Sequence, residues 1–227
     1  MPKIDTIFFD VGQTLLAPNL DVTLEPLHSR GILPTQQQLE GTEIRARLKM
    51  DELRLHHHGS IDANYADVYF SDLLAQFAID ALALKQELIR RGRNALNYTS
   101  LLPSVRETLT ALAGRFQMAV ISNADGNIAK LLENVGLASY FVSITDSAVF
   151  GREKPAPEIF HHALTSVGVP AETSVYVGDV YSIDYVGATA VGMKAVLVDR
   201  LGTYAGLAVP KISLLEQLEP VLKTFEA

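Results

Sequence analysis

Three short apolar runs in this chain each end on a polar residue: Ile4 to Phe9 meets Asp10, Met118 to Ile121 meets Ser122, and Val175 to Val177 meets Gly178 and Asp179. Runs of this length, rich in β-branched and aromatic side chains and lacking polar alternation, read as strands buried on both faces of a parallel sheet. Ala195 to Val198 reads as a further strand. The stretches between them carry helical periodicity. Val105, Leu109 and Leu112 share one face, as do Ile128, Leu131, Leu132 and Val135, and then Ile159, Phe160, Ala163, Leu164 and Val167. Strands alternating with helices predict an α/β fold, a parallel sheet with helices on both faces joined by right-handed crossovers.

The stretch from Ala17 to Asn97 breaks this pattern. Ile44, Leu48 and Leu55 mark one helix, Tyr65, Tyr69, Leu73 and Phe77 a second, and Leu84 with Leu88 a third. An all-helical insert of roughly eighty residues, the size of a small subdomain, is therefore expected after the first strand. The division reads as residues 1–16 and 100–227 for the core and 17–99 for a helical cap.

Composition narrows the partners. The chain has 227 residues, 48% of them hydrophobic, enough to bury a full core. A formal net charge of −7 and the lack of any Lys/Arg run leave no basic surface to hold a polyanion, so nucleic acid is not an expected partner. With no cysteine, disulfides and thiolate metal sites are excluded, and a reducing cytoplasmic setting is expected. The first apolar run is too short for a signal peptide or a membrane span, so no membrane association is expected. Oligomeric state is not legible.

In an open α/β sheet, ligands bind beyond the carboxyl ends of the strands, near the point where strand order reverses. Asp10, Ser122 and Asp179 each follow an apolar strand, so three distant segments would deliver oxygens to one edge. Gly12 and Thr14 follow the first strand, Asn123 the second; Lys154 precedes Pro155, and Asp184 lies five residues beyond Asp179.

The segments Asp10-Val-Gly-Gln-Thr14, Ser122-Asn123, Lys154-Pro155 and Gly178-Asp179-Val-Tyr-Ser-Ile-Asp184 resemble the four ordered motifs of the haloacid dehalogenase-like hydrolases. The resemblance spans nearly the whole chain and implies a Rossmann-like core with a substrate-selecting cap. It implies Asp10 as nucleophile and as a ligand of Mg²⁺, with the carbonyl of Gly12 and the carboxylate of Asp179 as further ligands and Asp184 as an acid behind them. Hard oxygen donors of this kind suit Mg²⁺. It further implies that Ser122 and the amide of Asn123 hold phosphoryl oxygens, that Lys154 steadies Asp10 as an anion, and that Thr14 orients the substrate loop. The expected substrate is a small phosphorylated metabolite.

One position departs from the pattern. Phosphatases of the superfamily carry a second aspartate two residues after the nucleophile, as general acid and base; this chain has Gly12 there. Such help is worth ~10²–10⁴ in rate, so alkyl phosphates should turn over slowly and good leaving groups should suffer less. Two other branches also lack that aspartate: dehalogenases, which work without metal, and phosphonoacetaldehyde hydrolases, which use a cap lysine, for which Lys49 and Lys85 stand as candidates. A non-catalytic ligand-binding relative is the alternative from a different class. His56, His57 and His58 form a polar helix end, one of which is a candidate for the missing proton donor.

Overall fold

The computed structural model describes residues 3–56 and 64–225. The first strand, β1 (Thr6–Phe9), is buried along its whole length. It leads through a tight loop to β2 (Leu16–Ala17) and then to four helices, α1 (Leu20–His28), α2 (Gln36–His56), α3 (Tyr65–Ala75) and α4 (Leu82–Gly92). The chain returns through β3 (Ser100–Leu101), α5 (Val105–Leu112), β4 (Gln117–Ser122), α6 (Ile128–Asn134), β5 (Ser143–Asp146), α7 (Ser147–Phe150) and α8 (Pro157–Val167). It finishes with β6 (Ser174–Gly178), α9 (Val186–Ala190), β7 (Lys194–Val198), β8 (Lys211–Ile212) and α10 (Leu218–Thr224).

The expected α/β architecture is present. Six parallel strands lie in the order β5-β4-β1-β6-β7-β8. Alternate residues of each strand enter opposite layers, as the two-residue period of a strand requires. Ile7, Phe9, Val120 and Val175 pack with Leu109, Leu131 and Leu218 on one side. Phe8, Ala119, Ile121 and Tyr176 pack with Ile159, Phe160 and Ala188 on the other. Because both faces are covered, every strand position in β1 tolerates an apolar side chain, which is why the run shows no alternation. From β1 the chain moves to one side for β4 and β5 and to the other for β6 to β8, so strand order reverses at β1. The crevice at that reversal lies beyond Phe9, Ser122 and Gly178.

The stretch read as helical is helical, with two additions. Leu16–Ala17 and Ser100–Leu101 pair antiparallel, Leu16 opposite Leu101, and form a two-stranded ribbon where the chain leaves and re-enters the sheet domain. The helix α1 was not foreseen, because Pro26 lies inside it. Proline removes one helical N–H and so frees the carbonyl four residues earlier. That carbonyl, on Val22, accepts instead from Arg91 Nη1 at 2.9 Å, so α4 supplies the bond that α1 gives up. Leu24, Leu27, Phe70, Leu73, Leu74, Leu84 and Leu88 form an apolar cluster of the helical segment's own.

The face of α2 marked by Leu48 and Leu55 was expected to be buried, but both are exposed. The buried face instead carries Glu43, Ala46, Arg47, Met50 and Asp51. This helix packs on α3 and also meets the sheet's crevice, and it turns charge inward where it faces that crevice. Among the described residues, no helix is long and apolar enough to cross a membrane.

Candidate active site

Asp10 follows β1, and its backbone N–H donates to Val177 O on β6, which fixes the loop start between the two central strands. Lys154 enters from the loop before α8. Its Nζ lies 2.8 Å from Asp10 Oδ1, 2.8 Å from Asp184 Oδ1 and 2.6 Å from the Tyr176 hydroxyl. The Tyr176 hydroxyl in turn donates a hydrogen bond to Ile121 O at 2.9 Å. Asp184 spends its other oxygen on the backbone N–H groups of Asp179 and Val180, at 3.0 and 2.9 Å. Gly178 is required for this turn: a Cβ there would sit 2.5 Å from Asp184 Cγ.

The side chain of Asn123 holds the main chain of Lys154. Its Oδ1 accepts from Lys154 N at 2.7 Å, and its Nδ2 donates to Lys154 O at 3.0 Å. That side chain is therefore engaged in placing the lysine, and the backbone N–H is what Asn123 has left for a substrate. Ser122, at the end of β4, is buried and lines the same cavity as Asp10, Gly12, Lys154, Asp179 and Asp184, a space of about 190 Å³. Thr14 is buried, its Oγ1 has no hydrogen-bond partner among the described residues, and it does not line that cavity.

Asp179 is met from the helical segment. Arg47 Nη2 lies 2.5 Å from Asp179 Oδ2, and Arg47 Nη1 also donates to the Asp179 carbonyl. Glu43, one turn earlier on α2, holds the same guanidinium at 2.8 Å. The N–H of Ser182 donates to Asp51 Oδ1 at 2.9 Å, and Met50 packs on Val180 and Ile183. Thus α2 is docked on the loop that follows β6 by three successive positions of its inward face.

Burial is the main force on the ionisation of this cluster. It pushes the Asp10 carboxyl above its usual range; Lys154 opposes the shift and Asp184 adds to it. Asp179 is raised by burial first, with Arg47 opposing and Asp184, Asp10 and Glu43 reinforcing. For Lys154, burial favours the neutral amine, but the charges of Asp10 and Asp184 outweigh it and hold the ammonium protonated. Pairing secures the charge of the Lys154 ammonium, whereas Asp10 and Asp179 stay harder to ionise than free carboxyls despite the cations beside them.

The residues fit a divalent cation. Asp10 and Asp179 are both harder to ionise than free carboxyls despite the cation beside each, and a bound divalent cation would favour their ionised forms. Asp10 and Asp179 each have one oxygen engaged by a cation, leaving the other for hard-metal coordination beside the main chain of Gly12. Among the described residues, no group of three His, Cys, Asp or Glu side chains is arranged around a common point. Two carboxylates and a carbonyl do not require one.

Sequence reading did not single out Glu43, Arg47, Asp51 or Tyr176, nor Tyr98, which lines the same cavity as Asp10. The signal for the first three was a charge at every fourth position of one helix, Glu43, Arg47 and Asp51, on a face where apolar residues would otherwise be expected. Lys49 pairs with Glu52 at 2.9 Å and is half-exposed, and Lys85 pairs with Asp67 at 3.0 Å; neither lines a cavity at the site. The side chain of His56, and all of His57 and His58, lie outside the described residues.

The family model for haloacid dehalogenase-like hydrolases matches residues 36–198. N-acylneuraminate-9-phosphatase of Mus musculus is 31% identical over 209 residues, covering 86% of this chain and 82% of that protein. Haloacid dehalogenase-like hydrolase domain-containing protein 3 of Bos taurus is 43% identical over 82 residues, 36% of this chain and 33% of that protein. Across the vertebrate proteins of that name, the match spans from a third to about half of their length. Among solved structures, the magnesium-bound HAD-hydrolase YfnB of Bacillus subtilis shares the fold with a TM-score of 0.75 at 20% identity, over 97% of this chain and 99% of that one. Motif order, strand-end geometry and these matches agree, and the chain belongs to the haloacid dehalogenase-like hydrolases.

Proposed function

We propose that this hydrolase is a Mg²⁺-dependent phosphatase of small phosphorylated metabolites, working through an aspartyl-phosphate on Asp10. The observation that carries the reading is the 2.8 Å contact of Lys154 Nζ with Asp10 Oδ1, at the floor of a cavity shared with Ser122, Asn123, Asp179 and Asp184. Phosphatase-named relatives support the substrate class.

An oxygen of the Asp10 carboxylate attacks phosphorus, and the bond from phosphorus to the leaving oxygen breaks. Lys154 keeps Asp10 ionised and aimed, tied in turn by Asp184 and Tyr176. Ser122 and the Asn123 N–H hold equatorial phosphoryl oxygens as charge gathers on them. Gly12 offers no proton, so the leaving oxygen departs as an anion and is protonated by water. A second water then attacks the aspartyl-phosphate at phosphorus, loses its proton to solvent, and frees Asp10 and inorganic phosphate. Asp10, the carbonyl of Gly12 and Asp179 would hold Mg²⁺, which supplies charge neutralisation that lets two anions approach.

Residues 17–99 act as a cap over a core of 1–16 and 100–227, supported by the separate apolar cluster of α1, α3 and α4 and by the docking of α2 beside Asp179. The cysteine-free sequence fits a cytoplasmic setting. A panel of alkyl, aryl and acyl phosphates assayed with and without Mg²⁺ tests the reading. Mg²⁺-dependent phosphate release that Asp10→Asn abolishes is expected; intact Mg²⁺ binding without turnover of any of these would favour a ligand-binding protein.

A further inference from the structure

The buried pair between Arg47 and Asp179 crosses from the helical segment to the strand-end loop, and it lands on a carboxylate proposed above to hold the cation. We infer that Arg47 is a built-in competitor of the cation: guanidinium and metal share the Asp179 carboxylate, and the position of α2 sets metal affinity. The inference rests on the metal-site reading of Asp179.

The geometry is specific. Arg47 addresses both the carboxylate and the main-chain carbonyl of Asp179, a two-point grip that the planar fork of arginine makes and an ammonium does not. Glu43 fixes the fork from behind at 2.8 and 2.9 Å, so the guanidinium is held in place rather than merely nearby. Both partners are buried, the side chains of Arg47 and Asp179 each 8% exposed, so their attraction is little screened by solvent. A cation bound by the free oxygen of Asp179 would stand close to the guanidinium, and two positive charges sharing one carboxylate weaken each other's hold. Arg47 is anchored on the same helix as Met50 and Asp51, which dock on Val180, Ile183 and Ser182. Withdrawal of the arginine therefore loosens one of three ties that hold α2 to this loop. Metal binding and release of the cap's inward helix become one linked equilibrium, and by reciprocity whatever holds α2 down weakens the metal.

Isothermal titration calorimetry with MgCl₂ and no substrate tests this on the wild-type chain and on Arg47→Met. Tighter Mg²⁺ binding in Arg47→Met, by about tenfold, the ordinary scale of coupling between linked sites, is expected. Arg93 lines the cavity that holds Asp10 and Asp179 and pairs with Glu153, so Arg93→Met controls for the loss of a nearby positive charge; it should change the affinity far less. Should Arg47→Met fold poorly without metal, Arg47→Lys keeps the charge, loses the two-point grip and should still bind Mg²⁺ more tightly than wild type. Equal or weaker binding in both Arg47 variants overturns the competition while leaving the metal site standing. An equal gain in Arg93→Met overturns it in favour of bulk charge. Absence of Mg²⁺ binding in every protein overturns the metal reading and the competition together.

Discussion

The ring of Tyr98 stands against the place where a side chain on Gly12 would begin, since a Cβ on Gly12 would lie 3.3 Å from Tyr98 Cε1. The backbone is not the obstacle at this position. Gly12 is absent from the positive-φ residues, and it is the neighbouring Gln13 that adopts a left-handed φ of 56°. The space an aspartate would need is therefore limited by a movable aromatic side chain. Gly12→Asp should fold, and it should raise turnover of alkyl phosphates more than of aryl phosphates, whose leaving groups need no proton. Combining it with Tyr98→Leu should widen that difference by giving the new carboxylate room. Initial rates on a matched alkyl and aryl pair, with thermal melts to confirm folding, check this; equal gains on both esters would count against the missing-acid account.

Asp179→Asn should weaken Mg²⁺ binding by an order of magnitude or more, since a neutral amide replaces a charged hard ligand. The fold should survive, because Arg47 keeps its ion pair with Glu43 at 2.8 Å. Calorimetry and circular dichroism on one sample separate the two effects. Unchanged Mg²⁺ affinity would remove Asp179 from the site.

Lys154→Met removes the only buried cation that touches both Asp10 and Asp184 among the described residues, leaving two carboxylates facing a thioether. Breaking a buried pair by deleting one partner costs about 3–5 kcal/mol, so a marked fall in melting temperature is expected at neutral pH. Activity should fall by about 10²-fold or more, on the scale of losing one stabilising donor. A variant that melts like wild type would show that Lys154 is not carrying the charge balance described here.

The raised pKa values of Asp10 and Asp179 make a signed prediction for the metal-free protein. A carboxyl whose folded pKa lies above its unfolded value contributes most to stability below the unfolded value, and that contribution is lost as pH rises through the folded one. Metal-free protein should therefore lose stability from the ordinary carboxylate range up to about pH 8, to which burial pushes Asp179. Asp179→Asn should flatten that slope. Saturating Mg²⁺ should reverse it, because the metal binds the deprotonated carboxylates and releases protons. Melting temperatures across this window, with chelator and with Mg²⁺, provide the test; a slope of the opposite sign without metal would contradict the assigned causes.

Sequence legibility followed burial. β1, β4, β6 and β7 were readable because both faces of each strand are covered, leaving apolar runs such as Ile4 to Phe9. β5 and β8 lie at the sheet's edges and are short and mixed in polarity, Ser-Ile-Thr-Asp and Lys-Ile, so no run announces them. The positions of Asp10, Ser122 and Asp179 were legible because strand ends fix where polar residues converge, whereas Lys154, in the loop before α8, was read only from the motif resemblance. Arg47 was not legible, because amphipathic periodicity finds the face of a helix that seeks oil, and α2 presents charge to a polar crevice instead. Tyr176 was hidden for a different reason: its ring belongs to the core pattern of β6, and only its hydroxyl reaches the site.

The central claim is that Asp10 carries the phosphoryl group. Incubating the Mg²⁺-loaded protein with ³²P-labelled acetyl phosphate, quenching in acid and treating with hydroxylamine tests it most directly, since an acyl phosphate survives acid and is released by hydroxylamine. The account predicts hydroxylamine-labile label on the wild-type chain, mapping to the peptide that contains Asp10, and none on Asp10→Asn. Hydrolysis of acetyl phosphate with no trapped label, or equal label on Asp10→Asn, would contradict it.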